Sequence, residues 1–230
     1  QLGSDGAWQQ WLSTDEIEPF QPSNVGVLKT WSPFMHDCFG QPLKRVNAWV
    51  NAENKTHGDI VVTHYGLESG VIYKLGRELR QLAAQNLPLQ LHLDLLPDIT
   101  IEQLKKKLQG NKKQSMTNIW RKAGLDTVKI NLLREVVAKN LWSDATQMAQ
   151  QIKHLMISLD GFRPIEEAIS CAGGVKQVAL SSQLQLQSNP YVFCCGEMLD
   201  WDAPTGGYLL TACFATGRAA GQGVYEFLSK

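Results

Sequence analysis

Hydrophobic and polar positions change rhythm several times along this 230-residue chain. From Val25 to Thr63, short β-prone runs (VGVLKTW, RVNAWVNA, DIVVTHYG) alternate with turn signals at Pro33, Gly40, Pro42 and Gly58, which predicts a small sheet or barrel. After Gly66 the period becomes helical. Val71, Leu75, Leu79 and Leu82 recur on one face to about Asn86, so a strand-loop-helix unit is expected around VTHYGLESG. Leu89, Leu91, Leu93 and Leu95 then alternate as in a strand, closed by Pro97.

Thr100 to Leu159 reads as almost wholly helical. TIEQLKKKLQG stops at Gly110 and VKINLLREVVAKN follows. SDATQMAQQIKHLMISL opens on Ser143 as its expected N-cap and turns Met148, Ile152, Leu155 and Met156 inward. Pro164 suits the first turn of a short helix, PIEEAIS, which runs into Gly173 and Gly174. VKQVAL, QLQLQ and YVFCC return to strand texture, and the chain finishes in one long helix. The sequence contains no internal repeat and no low-complexity segment.

Composition narrows the classes of function. Twenty-two basic residues balance twenty-two acidic ones, so global charge gives no push toward nucleic acid or acidic lipid. Lys105, Lys106, Lys107, Lys112, Lys113, Arg121 and Lys122 form the one basic cluster. They lie on an amphipathic helix and a polar turn without interleaved aromatics, so they read as a solvated face, with an RNA- or protein-binding module as the rival reading. The five cysteines are odd in number and lack CxxC spacing, which fits free thiols in a reducing compartment. Cys194 and Cys195 read as small buried fillers in an apolar strand, with a strained redox disulfide between them as the alternative. No run is apolar enough to span a bilayer, and the first residues lack a secretory pattern, so a cytoplasmic address is expected. His36, His57, His92 and His154 are scattered without metal-ligand spacing, and no G-x-S-x-G elbow is present.

The densest chemical signal is CCGEMLDWDAPTGGYLLTACFATGRAAGQG, Cys194 to Gly223. Tyr191 to Cys195 is apolar without alternation, as in a strand buried on both faces. Gly196 ends it. Glu197 and Asp200 follow at the carboxyl edge, where open α/β sheets place ligands and a carboxylate accepts hydrogen bonds from sugar or ribitol hydroxyls. Gly206 and Gly207 then remove side chains where a helix begins, baring N–H groups and the positive dipole end to a phosphate, an anionic ring or a carbonyl oxygen. The alternative is an ordinary strand-turn-helix with a glycine-rich corner.

AISCAGGV followed by NPYVFCCGEMLDWDAPTGGYLLTACFATGRAAG resembles the carboxyl end of the BaiN-like bacterial flavoproteins, FAD-dependent oxidoreductases of the glutathione-reductase-like group that include aminoacetone-oxidase relatives. PSNVGVLKTWSPFMHDCFGQPLKRV, THYGLESG and LDLLPDITIEQLKKKL are similar to the middle of the same family, so the resemblance covers essentially the whole chain. It implies an α/β chain, α+β overall: residues 1–20 end a first FAD-domain segment. Residues 21–160 are an inserted domain, β-barrel-like to about 97 and helical from about 98, and residues 161–230 close a Rossmann-like FAD domain. By the same resemblance Gly196 and Glu197 hold the FAD ribitol or pyrophosphate, and Thr205, Gly206, Gly207 and Tyr208 open the helix facing the flavin. Asp200 shapes the loop, and Gly173 and Gly174 let backbone approach the ring system. The implied substrate is a small organic molecule, with NAD(P)H or oxygen as the other redox partner.

His64, between strand and helix in VTHYGLESG, matches a family position near the flavin pocket and is the titratable candidate for proton transfer, with a loop histidine satisfied by backbone hydrogen bonds as the commoner alternative; Tyr65 could equally line that pocket. Trp8, Trp11, Trp31 and Trp49 read as core or domain-contact residues, with a substrate wall as the alternative. One departure stands out. The family opens with a strand, a G-x-G-x-x-G turn and a helix for the ADP part of FAD, and this sequence has no such motif. The chain also begins at Gln1 inside QLGSDGAW, which resembles a phrase found well after that motif, so it is expected to be part of a longer protein that binds FAD, while the 230 residues alone are expected to hold FAD weakly or not at all. Oligomeric state is not legible.

Overall fold

The computed structural model describes residues 6–109 and 114–229. It resolves into two compact units, one made of 26–162 and one of 1–25 with 163–230.

The first unit is a β-barrel with helices. Its strands are β2 (Val27–Leu28), β3 (Pro42–Trp49), β4 (Thr56–Thr63), β5 (Gly66–Glu68), β6 (Gln90–Asp94), β7 (Leu155–Ser158) and β8 (Gly161–Phe162), in the order β7-β6-β3-β4-β5-β2-β8 with antiparallel neighbours throughout. The two ends of that order are one continuous stretch of chain. β7 pairs with β6, and two residues later β8 pairs with β2, while Leu159 N–H donates to Leu89 O at 2.9 Å and Asp160 N–H to Leu28 O at 2.8 Å. The sheet therefore closes on itself at residues 158–161 and leaves no free edge there. Strand alternation fills the interior: Leu43, Val46, Ala48, Ile60, Val62, Leu91 and Leu93 are fully buried.

Helix α1 (Gly70–Ala84) lays Val71, Ile72, Leu75 and Leu79 into the same core. Four shorter helices follow: α2 (Ile101–Leu108), α3 (Met116–Ala123), α4 (Thr127–Val136) and α5 (Ala145–Lys153). Each starts on a side-chain cap, Thr100, Ser115, Asp126 and Asp144 respectively. Gly124 closes α3 in the left-handed conformation at φ 114°. Lys112 and Lys113 of the basic cluster, and the predicted stop at Gly110, lie outside the described residues.

Two helix expectations are corrected here. The cap of α5 is Asp144, whose Oδ1 accepts from Thr146 N at 2.8 Å and Gln147 N at 3.0 Å, and not Ser143. The helix also stops at Lys153 instead of continuing to Leu159. Leu155 and Ile157 alternate inward along β7 while Met156 faces out, because pairing with β6 completes the barrel.

The second unit is built differently. β1 (Ile17–Ser23) pairs antiparallel with β9 (Ser170–Val175) in a two-stranded sheet, and α6 (Tyr208–Leu228) closes the chain. Pro19 and Pro22 hide β1 from sequence reading, but neither strand of this pair is central, so the missing donors are tolerated. The expected strands VKQVAL, QLQLQ and YVFCC do not form. Residues 177–179 make a 3-10 turn, and Gln185 and Phe193 meet in an isolated bridge. Cys194 N–H donates to Leu184 O and Leu186 N–H to Val192 O, so this apolar stretch folds back on its own loop. An apolar run without alternation carries no period to separate these outcomes. A small core of Val175, Leu180, Leu186 and Cys194 lies beneath.

Candidate functional site

In the second unit, local backbone gathers most of the C-terminal candidates. Gly173 and Gly174 sit within β9 at φ 89° and 132°. A Cβ on Gly173 would lie 2.4 Å from Pro19 O, and one on Gly174 would lie 2.4 Å from Met198 O. The close approach these glycines permit is thus to the chain's own β1 and to the segment 196–199. Val175 bridges Leu199 in parallel, and Asp200 N–H donates to Val175 O at 2.9 Å. Glu197 Oε1 accepts from Cys171 N at 3.3 Å. Gly196, at φ 69°, donates its N–H to Thr216 Oγ1 at 3.0 Å, while that hydroxyl donates to Ala212 O at 2.7 Å, which ties the Gly196–Met198 turn to α6. Gly173, Gly174, Gly196, Glu197 and Asp200 accordingly lie on one continuous backbone arrangement.

Electrostatically this corner is acidic. Burial, and then the Glu18 carboxylate, hold the Asp200 carboxyl above the usual range, with Lys176 working against them. Burial and Glu197 likewise push the Cys171 thiol up, so it stays protonated and unreactive at neutral pH.

Helix α6 opens on Gly207 in the left-handed conformation at φ 89°, where no side chain caps the first turn and no atom lies within 4 Å of where a Cβ would project. Thr205 is half-buried; Gly206 and Tyr208 are exposed. The first-turn N–H groups meet no side-chain acceptor at the N-cap, so the dipole end is open to an anion.

His64 lies in the barrel unit. It and Tyr65 form the two-residue turn of the β4–β5 hairpin, since Thr63 pairs with Gly66. The helix expected directly after this loop begins only at Gly70, after β5. His64 is exposed, packs edge-on against Tyr65 with ring centroids 5.1 Å apart, and borders an open cleft of about 390 Å³. Leu28, Lys29, Thr30, Trp31, His36, Phe39, Tyr65 and Asp160 complete that cleft. Sequence reading missed Lys29, His36, Phe39 and Asp160, because barrel closure alone brings positions 28–39, 64–65 and 160 together.

The cleft walls are fixed by backbone. Lys29 N–H donates to Tyr65 O at 2.8 Å, Trp31 Nε1–H to Thr63 O at 2.9 Å, and Thr30 N–H to Asp160 Oδ2 at 2.6 Å. The hydrogen bond from Thr30 and the nearby Lys29 hold the Asp160 carboxyl below its ordinary range. The Tyr65 hydroxyl donates to Glu68, which also accepts from Tyr73 at 2.7 Å. Burial and that carboxylate raise the Tyr73 phenol well above its usual value.

Among the described residues no group of three or more His, Cys, Asp and Glu side chains could hold a metal ion, and no helix is long and apolar enough to cross a membrane.

Two comparisons with known proteins bear on these sites. The family model described as HI0933-like protein barrel and H2TH domain matches residues 21–170. The chain is also 21% identical over 244 residues to the 3-dehydro-bile acid delta(4,6)-reductase of Clostridium scindens, an alignment covering 98% of this chain and 59% of the relative.

Proposed function

The chain belongs to the HI0933-like family of flavoproteins, and from that premise we propose that it forms part of an FAD-dependent oxidoreductase acting on a small organic substrate. The observation that carries this reading is the opening of α6: a left-handed Gly207 with no side-chain cap, where an added Cβ would meet no atom beyond its chain neighbours within 4 Å. An uncapped helix start beside Thr205 and Tyr208 fits a group bearing phosphate or an electron-rich ring. In the assignment proposed here, Gly206, Gly207, Thr205 and Tyr208 face the flavin, and Gly196 and Glu197 approach its ribitol or pyrophosphate. Asp200, Gly173 and Gly174 then set the backbone course beneath them. FAD, when bound, supplies the two-electron chemistry, and the α6 dipole favours negative charge on the reduced ring. NAD(P)H or oxygen is the other redox partner. His64 is the proposed proton-transfer residue of the barrel unit.

The chain spans 59% of the length of the relative it matches, and its 230 residues contain no G-x-G-x-x-G turn. The ADP-binding turn is therefore assigned to the rest of a longer protein, and the 230-residue chain by itself is expected to hold FAD weakly and to lack turnover. The relative's name describes a reductase, which supports a reductive direction of transfer.

Gly207→Val tests the assignment, because it puts a branched side chain at a left-handed φ of 89° at the start of α6, where an added Cβ has no neighbour within 4 Å. Full-length protein is expected to purify with flavin absorbance, and the variant with less than a tenth of it at unchanged barrel stability. Equal flavin content in the variant, or none in the full-length protein, would overturn the reading.

A further inference from the structure

The cleft beside the barrel seam has an uneven hydrogen-bond inventory. Its acids already accept hydrogen bonds: Asp160 through Oδ2 from Thr30, and Glu68 behind it from both Tyr65 and Tyr73. The Trp31 indole is bonded to Thr63 O, whereas the side-chain nitrogens of Lys29, His36 and His64 make no hydrogen bond among the described residues. Lys29 Nζ makes no hydrogen bond among the described residues and stands 6.0 Å from the centre of the Trp31 ring. The imidazoles of His36 and His64 pack against the rings of Phe39 and Tyr65 respectively, and neither forms a hydrogen bond among the described residues. One lysine ammonium and two imidazoles thus border one opening, together with the flat apolar surfaces of Trp31 and Phe39. A second cation would meet the Lys29 ammonium as well as the one lining carboxylate, Asp160. A carboxylate would meet up to three donors, and a ring attached to it would lie against the aromatic wall.

We propose that this cleft binds a small carboxylic acid with a planar or alicyclic ring, the carboxylate held by Lys29 with His64 and His36, the ring resting on Trp31 and Phe39. The cleft's volume of about 390 Å³ lies near the lower end of small-molecule sites, which suits a ligand of one or two rings. The ligand class stands on the cleft alone. That such a ligand is the substrate of the flavin reaction rests on the function proposed above.

The test is calorimetric titration of the full chain, with FAD present, using four probes at one ionic strength: benzoate, benzyl alcohol, benzylammonium and acetate. Benzoate is expected to bind with about millimolar affinity. The neutral and cationic ring compounds and the ringless acid are each expected to bind at least about tenfold more weakly, the margin of one charge-assisted hydrogen bond or a ring contact. Lys29→Gln should weaken benzoate about tenfold, Lys29→Arg should retain it, and His64→Gln should weaken it severalfold. The Lys29 side chain is half-exposed, and matching far-ultraviolet dichroism across the variants would exclude unfolding as the cause. Benzylammonium binding as tightly as benzoate, or Lys29→Gln binding benzoate as the parent does, would overturn the proposal. Flavin absorbance retained by the full-length protein after gel filtration, with no FAD added, separates the two claims. Benzoate binding without a flavin signal leaves the cleft intact and removes the flavin reading, and a flavin signal without benzoate binding does the reverse.

Discussion

Two glycines a few residues apart show how backbone geometry decides what a position tolerates. Gly66 closes the β4–β5 hairpin at φ 151°, and a Cβ there would stand 2.1 Å from Val27 O and 2.7 Å from Lys29 N, inside the pairing that joins the hairpin to β2. Nothing lies within 4 Å of the same position on Gly70. Gly66→Ala is therefore expected to lose on the order of 3 kcal/mol, combining a strained backbone with a displaced strand. Gly70→Ala, in the first turn of α1, should be neutral or slightly stabilising. Equal melting temperatures for the two variants would contradict this geometry. Because Lys29 and Tyr65 meet across the Gly66 contact, the same substitution should also dislodge the cleft wall. The sequence marks Gly66 as the point where the period changes, but only the barrel reveals that its missing side chain makes room for another strand.

At the scale of elements, legibility follows the length of the periodic signal. The 3.6-residue recurrence through α1 and the alternation through β6 are long enough to name the element and its buried face, and Val71, Leu75, Leu79, Leu91 and Leu93 are buried as that pattern requires. Segments of five residues around 177–195 offer too little period, and their hydrogen bonds go to a local loop. The end of α5 was illegible for another reason. Leu155 and Met156 fit a helical face as well as a strand, and only the distant partner β6 selects the strand. Capping gives a direct check on the start of α5. Asp144→Ala removes acceptors for two N–H groups and should cost about 1 kcal/mol in thermal or urea denaturation, whereas Ser143→Ala should cost a few tenths at most. The reverse order would restore the cap that the sequence pattern suggests. At the candidate site, the glycines and carboxylates of 196–208 were legible because they are contiguous in sequence. The cleft residues were not, being gathered from three distant segments by barrel closure.

At the scale of the whole molecule the two units differ in how much apolar surface they hide. The barrel unit surrounds a continuous core from Val27 to Leu159, whereas the other keeps four residues in its buried cluster. Its α6 spans 21 residues, about 31 Å at the usual helical rise, and buries only Ala220 and Gly223 fully. Leu210, Phe214, Tyr225 and Leu228 are all more than half exposed, Leu228 at 76%. A surface helix ordinarily turns charges outward, and a helix apolar on most sides is one that packs within a larger body. Each such side chain would contribute roughly 1.5–3 kcal/mol if fully covered, a substantial gain left unrealised in this chain. The 230-residue chain should accordingly bind a hydrophobic dye strongly and self-associate at high concentration. The double substitution of Leu210→Ser with Phe214→Ser should cut the dye signal by at least half while leaving the barrel's amide protection unchanged. In the longer protein proposed above, the same helix should be covered, so dye binding should be low before any substitution and the double variant should instead lose stability. Strong dye binding by both lengths of protein would mean that α6 has no partner in the additional chain, and would remove the structural reason for placing the rest of the cofactor site there.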